Sequence, residues 1–347
     1  MVNLNRAERV RGRYVNAVPT GVGGFSTLLK ALPLYLNNKE EKTPRKAPGP
    51  FRTDAGVYGR APESGLRGAG LRVTWMGHSS MLVEVDGVRV LVDPVWDARA
   101  SPVQWAGPKR FFEAPLRLEE MPRLDAVLIS HDHYDHLGST TVRRLAELPG
   151  MAATRWVTSA GVGEILRKFG VQAERITELN WTESTVLTGA SGAEVKMTAV
   201  PARHFSGRGV TNRFETLWSS FVLRGPEHNV YFGADSGWWE GFAAIGAAYG
   251  PFDLTMLEIG AYHELWEQIH LGPDGAVRAF EALGGTGLLM PIHWGLFDLA
   301  LHGWRQPIER LLEVAEAKGI SVWSPEPGKP VEVVRGETLV ADWWRHD

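Results

Sequence analysis

The sequence predicts an α/β fold, an αββα sandwich in which two sheets pack face to face with helices on their outer sides. Three observations point there. From Leu71 onward the apolar residues recur at strand spacing, first as a meander and later in alternation with helical patterns. The composition is that of a globular chain, 44% apolar and 22% charged over 347 residues, long enough to bury a core without covalent staples. No internal repeat occurs at a solenoid or propeller period.

Taken in order, residues 1–70 have weak periodicity and read as an N-terminal extension packed on or bordering a main domain of residues 71–347. Within it Phe25 to Leu36 is an apolar run containing Pro33, expected as a short helix, and Lys39 to Pro50 is a charged, proline-bearing arm. Leucines and a tyrosine beside lysines also suit a segment that lies on lipid, so peripheral membrane contact is a second expectation for this run. Leu71–Trp75, Ser80–Val85 and Val88–Val92 read as strands, the last two joined at Asp86-Gly87, a strong hairpin signal. Further strands are expected at Leu124–Ser130, Trp156–Thr158, Val195–Val200, Ser219–Leu223, Asn229–Phe232, Leu254–Glu258 and Gly287–Pro291. Helical patterns fall at Ser139–Leu148, Gly161–Phe169, Pro273–Leu283 and Gln306–Lys318.

Composition also excludes chemistry. There is no cysteine, so disulfides, thiolate metal sites and cysteine nucleophiles are ruled out. The net charge is −3 with no long basic block, which argues against nucleic acid as the main partner. No stretch is apolar enough for a bilayer-spanning helix, and Met1 to Asn16 lacks the apolar core of a signal peptide; the expected location is cytoplasmic. No G-x-S-x-G elbow is present either.

The informative segment is LDAVLISHDHYDHL at 124–137. An apolar strand runs into a loop bearing His131, His133, Asp135 and His136. Residues i and i+2 on extended backbone point the same way, so His131 and His133 can face one metal ion, and a turn at Tyr134 would aim Asp135 and His136 at a second. Three more candidates each follow an expected strand: His204 in PARHFSGRG, Asp235 in GADSG and His293 in MPIHWG. Imidazoles with carboxylates suit zinc, and also manganese or ferrous iron.

With these residues the sequence resembles the metallo-β-lactamase superfamily, whose signature is H-x-H-x-D-H followed by separate His, Asp and His ligands. Within it the sequence is similar to the branch containing N-acylphosphatidylethanolamine-hydrolysing phospholipase D. The features are WMGHSSMLVEVDG at 75–87, LVDPVWDARASP at 91–102, GPKRFFEAP at 107–115, and the later IHLGPDGAV and PIHWGLFDL. The resemblance covers roughly residues 71 to 325. It implies two divalent ions, the first held by His131, His133 and His204, the second by Asp135, His136 and His293, with Asp235 bridging. It further implies hydrolysis by a metal-bound hydroxide, with Asp135 and Asp235 at the reacting centre, of a phosphodiester such as a phospholipid. A lactone, ester or thioester is the alternative substrate, and a metal or ligand sensor without turnover the non-enzymatic alternative.

Around this core stand residues with supporting or substrate roles. Asp93, after a strand in LVDP, is expected to orient the ligand loop, with Asp132 a similar but more solvated candidate. Arg208, four residues past His204, is expected to anchor a phosphate, and His270 to touch substrate. His78 is placed near the site, whereas His228, His263, His302 and His346 read as loop or surface residues. Of fourteen tryptophans, most are expected in the core, with a few free to line an apolar groove. An oligomer is compatible with the sequence but not readable from it.

Overall fold

A computed structural model describes residues 3–60, 62, 70–190, 192–209 and 211–346. The chain opens with a small ribbon, β1 (Arg9–Val10) and β2 (Arg13–Tyr14), and helix α1 (Phe25–Leu36), which continues through Pro33. A first run of elements comprises β3 (Leu71–Gly77), β4 (Ser80–Val85), β5 (Val88–Val92), β6 (Ala126–Ile129), α2 (Ser139–Glu147), β7 (Arg155–Ser159), α3 (Gly163–Lys168) and β8 (Ile176–Leu179). A second follows: β9 (Ser184–Thr188), β10 (Glu194–Pro201), β11 (Ser219–Arg224), β12 (Asn229–Phe232), α4 (Gly241–Tyr249), β13 (Leu254–Glu258), α5 (Gly272–Ala282), β14 (Leu288–Ile292) and α6 (Gln306–Lys318). The end of the chain adds β15 (Trp323–Ser324), β16 (Pro330–Glu332) and β17 (Leu339–Val340).

Most of these strands form two large sheets, one in the order β16-β3-β4-β5-β6-β7-β8 and the other β14-β13-β12-β11-β10-β9. Period-two alternation decides the layering. Val83, Val90, Leu128 and Val157 share a core with Met197, Phe221 and Tyr231 of the other sheet. Their neighbours Leu82, Leu91, Val127 and Trp156 point the other way and pack with Val142, Leu145 and Leu166 of α2 and α3. Helices α5 and α6 cover the second sheet through Val277, Phe280, Ile308 and Leu311. The result is the four-layer αββα sandwich. In α6 the local code is complete: Pro307 starts the helix, Ile308, Leu311 and Ala315 form its buried stripe, and Gly319 ends it with φ +65°.

Elements that sequence periodicity missed have weak patterns. Strand β9 (STVLT) is mostly exposed, β8 (ITEL) is short with one buried residue, and α4 is rich in Gly and Ala with little amphipathic contrast. The expected tryptophan core is present in part: Trp75, Trp294 and Trp343 pack ring against ring, while Trp105 is 82% exposed.

Strand direction positions the site. β3, β5 and β6 run the same way, as do β10, β12, β13 and β14. Their C-terminal ends are followed by His78, Asp93, His131, His204, Asp235 and His293, and β13 itself ends on Glu258. Separate loops thereby deliver polar side chains to one edge of the sandwich.

Candidate metal centre

The loop after β6 leaves the sheet at Ser130 and turns tightly, with the amide N–H groups of His136 and Leu137 donating to the His133 carbonyl. This brings His131, His133, Asp135 and His136 to one place. His131 Nε2 lies 2.9 Å from His133 Nδ1, and His204 Nε2 lies 3.2 Å from that same Nδ1. Together with Asp235, these three imidazoles form a group whose donor atoms all lie within 4.8 Å of one another. A second such group contains His78, Asp135, His136 and His293.

Asp235 stands between the two. Its Oδ2 is 3.6 Å from His204 Nε2 and 3.1 Å from His293 Nε2, and its Oδ1 is 3.2 Å from His136 Nε2. His293 Nε2 is also 3.1 Å from Asp135 Oδ2, to which His78 Nε2 comes within 3.0 Å. The structure thus brings together all seven residues singled out as ligands, and adds His78 to them.

The donors fit a metal. His136 Nε2 and Asp235 Oδ1 are buried and face one another, yet make no hydrogen bond, a costly arrangement unless a third body satisfies both. The donor set, imidazole nitrogen and carboxylate oxygen without thiolate, suits a divalent ion of borderline hardness.

The surroundings aim these donors. Asp93, fully buried, accepts from the Ser130 amide at 2.7 Å and the Ser130 hydroxyl at 2.6 Å, and its Oδ2 lies 2.7 Å from His136 Nδ1. His204 Nδ1 donates to the Ile269 carbonyl at 2.9 Å, which turns Nε2 inward. Asp132 is buried rather than solvated, its Oδ1 accepting from the Gly207 amide at 2.7 Å. His78, Asp93 and His293 all adopt left-handed backbone, with φ of +55°, +38° and +63°. Such conformations disfavour residues with a Cβ, and three of them at one site mark backbone that the surrounding fold holds in place.

The electrostatics are those of buried groups in mutual compensation. Burial, helped by neighbouring imidazoles, keeps His131 well below the usual histidine range, and burial does the same to His204. Burial also opposes charge on His136 and His293, but the carboxylates of Asp235 and Asp135 prevail, holding His136 well above its ordinary value and His293 at about 10. Both carboxylates sit well below theirs: burial works against ionisation, and the adjacent imidazoles outweigh it.

Two side chains differ from the sequence reading. Arg208, expected to anchor a phosphate, commits its Nη1 to the ligand loop: it donates to the carbonyls of Asp132 at 2.7 Å and Leu137 at 2.9 Å, and the guanidinium lies over the Tyr134 ring at 3.9 Å. It fastens the ligand loop. Glu258 was missed, because a glutamate ending an apolar strand has no motif around it; the available signal was its place at a strand end, shared with the other candidates. It is fully buried, that burial pushes its carboxyl up, and its Oε2 lies 2.5 Å from His270 Nδ1. The His270 ring is centred 5.2 Å from that of His204 and 5.4 Å from that of His293, which places it at the site. Of the other histidines, His228 pairs with Asp86 and His346 with Asp342, while His263 accepts from the Leu265 amide.

Beside His293 lies a small enclosed pocket whose wall includes Phe297, His302 and Trp304. It shares Lys42, Phe111, Asp298 and Leu299 with an outer bowl of about 690 Å³ that Tyr35 of α1 also lines. His302, expected as a loop or surface residue, lies in a loop and lines the small pocket beside His293.

Comparison with known proteins gives a consistent outline. Residues 88–294 match the β-lactamase superfamily domain. The chain is 47% identical over 277 residues to an uncharacterised protein of Mycobacterium tuberculosis, covering 79% of this chain and 72% of that one. It is 35% identical over 257 residues to N-acyl-phosphatidylethanolamine-hydrolyzing phospholipase D 1 of Caenorhabditis elegans, covering 72% and 71%. Among solved structures, the metallo-hydrolase Igni18 of Ignicoccus hospitalis superposes with a TM-score of 0.55 at 24% identity, over 76% of this chain and 97% of that one.

Proposed function

Given that this chain belongs to the metallo-β-lactamase fold superfamily and is a metal-dependent hydrolase, we propose that it holds two divalent ions and cleaves the phosphodiester of a phospholipid-like substrate. The observation that carries the two-ion reading is Asp235, one carboxylate set between two groups of donors. His131, His133 and His204 would hold the first ion, Asp135, His136 and His293 the second, and Asp235 both. Zinc suits this set best, with manganese and ferrous iron as alternatives.

When bound, such ions polarise a phosphoryl oxygen and make water nucleophilic at neutral pH. The chain's own side chains prepare the site for that chemistry. Asp93 fixes the proton of His136 on Nδ1 and so presents Nε2 inward. Glu258 does the same for His270, whose Nε2 is left for a substrate oxygen. Arg208 is a positioning residue, because it holds the backbone from Asp132 to Leu137 on which three ligands ride.

Similarity to the nematode phospholipase supports the lipid reading, and α1 supports it independently. Leu29, Leu32, Leu34, Tyr35 and Leu36 are exposed, Leu36 by 78%, with Lys30 and Lys39 exposed beside them. This amphipathic mixture suits peripheral contact with a membrane surface, and Tyr35 connects it to the bowl near His293. None of the described helices is long and apolar enough to cross a membrane. On this reading residues 1–70 are an extension serving the catalytic domain of 71–347.

The test compares a soluble aryl phosphodiester, N-acylated and ordinary phospholipids of increasing chain length, and a set of lactones and thioesters. Each buried methylene adds up to about 0.8 kcal/mol, so kcat/KM should rise with chain length. Lactones or thioesters turned over faster by orders of magnitude, with no chain-length effect, would overturn the lipid reading. Arg208→Ala should lower turnover of every substrate class alike, together with metal content. A loss confined to phosphodiesters would instead make it the phosphate anchor.

A further inference from the structure

We infer that Asn16 is a positioning residue for the metal centre, and that residues 14–21 form a strap across the loops that supply His204 and its hydrogen-bond partner. His204 lies beyond the end of β10, so its peptide groups have no sheet ladder to join. Asn16 takes the place of a neighbouring strand. Its Nδ2 donates to the His204 carbonyl at 2.7 Å, and its Oδ1 accepts from the His204 amide at 3.1 Å. One carboxamide thus satisfies both backbone groups of a buried residue across a separation of 188 positions.

The rest of the strap repeats the pattern on adjoining loops. Arg203, just before His204, donates from Nε to the Thr20 hydroxyl at 3.1 Å and from Nη2 to the Pro19 carbonyl at 3.0 Å. The Gly21 amide donates to Gln268 Oε1 at 2.7 Å, one residue before the Ile269 carbonyl that orients His204 Nδ1. Arg203 also reaches the loop after Asp235, through its Nη1 to the Trp238 carbonyl at 2.8 Å and its own carbonyl to the Gly237 amide at 2.7 Å. These loops meet without slack, since a Cβ at Gly237 would lie 1.9 Å from the Gln268 carbonyl oxygen. Backbone and ring of His204 are therefore held from two sides, by Asn16 and by Ile269. The strap lies outside residues 88–294, the part matched to the superfamily.

Metal affinity depends on how firmly each donor is aimed before the ion arrives, and outer partners of this kind typically change it by about 10–100-fold. The inference rests on His204 being a ligand of the first ion. It commits to a selective effect: Asn16 governs the ion held with His131, His133 and His204, and leaves the ion held with His293 unchanged.

The experiment is zinc titration of the full chain against a competing chelator, in wild type, Asn16→Ala, Asn16→Asp and His131→Ala. His131→Ala identifies which binding step belongs to the first ion. Asn16→Ala should weaken that step by about tenfold or more and leave the other within about twofold. Asn16→Asp keeps the acceptor but sets a carboxylate oxygen against the His204 carbonyl, so it should weaken that step at least as much as Asn16→Ala. Wild-type affinity at both steps in Asn16→Ala would overturn the inference. So would an equal loss at both steps that follows the melting temperature of the metal-free protein. If Asn16→Ala does not fold, Asn16→Asp decides on the same criterion. A wild type that binds one ion defeats the two-ion reading separately; the strap then stands or falls on the ratio of variant to wild-type affinity for that ion.

Discussion

Oδ2 of Asp93 lies 2.7 Å from Nδ1 of His136, and both side chains are fully buried. The carboxylate also takes the amide and hydroxyl of Ser130, so one residue ties the end of β6 to a ligand at the far side of the loop. Asp93→Ala should weaken metal binding by about 10–100-fold. It should also destabilise the metal-free protein by about 3–5 kcal/mol, because a buried pair loses one member. Asp93→Asn keeps the shape but not the charge and should lose less of both. Chelator competition and denaturant unfolding measure the two effects, and unchanged metal affinity in Asp93→Ala would remove its orienting role.

Metal uptake should release protons. In the metal-free protein Asp235 and Asp135 overcome burial and hold His136 well above its ordinary value and His293 at about 10, so both imidazoles carry an extra proton at neutral pH. A metal needs the neutral imidazole, so binding must expel those protons, and apparent affinity must rise with pH until these groups titrate by themselves. Calorimetry of zinc binding in buffers of different ionisation enthalpy reads the release directly. A binding enthalpy independent of buffer, with affinity flat from pH 6 to 9, would contradict this assignment.

His302 should shape the acid limb of the stability curve. Burial lowers its imidazole to about 4 from 6.5, against the opposing hydrogen bond to the Gly303 carbonyl. The unfolded chain then takes up the proton first, so the stability due to neutral His302 is fully present above about pH 6.5. It is lost as pH falls from there through the folded value. His302→Phe keeps the stack on Tyr262, whose ring lies 4.8 Å away, and removes the titration. Relative to wild type the variant should lose less stability between pH 6.5 and 4, by up to about 3 kcal/mol at the acid end. Parallel stability curves for the two proteins in chemical denaturation would sink the prediction.

Local sequence was enough for the layered fold, because period-two and helical patterns are read within a few residues of backbone. Val88–Val92 alternates its side chains between two cores, and α6 has its start, stripe and stop written in consecutive positions. The candidate ligands were legible for the same reason: each sits just past a strand end, and H-x-H-x-D-H compresses four of them into one loop. What tertiary structure alone decided is which partner each side chain meets. Arg208 lies four residues from His204, yet the carbonyls it meets lie on the loop after β6, 71 and 76 positions earlier. Glu258 acquires its task only when β13 sets it under His270, and Asn16 reaches His204 across 188 positions. Hydrogen bonds of that span are set by how the two sheets and the N-terminal strap come together at one edge, and no local period records that arrangement.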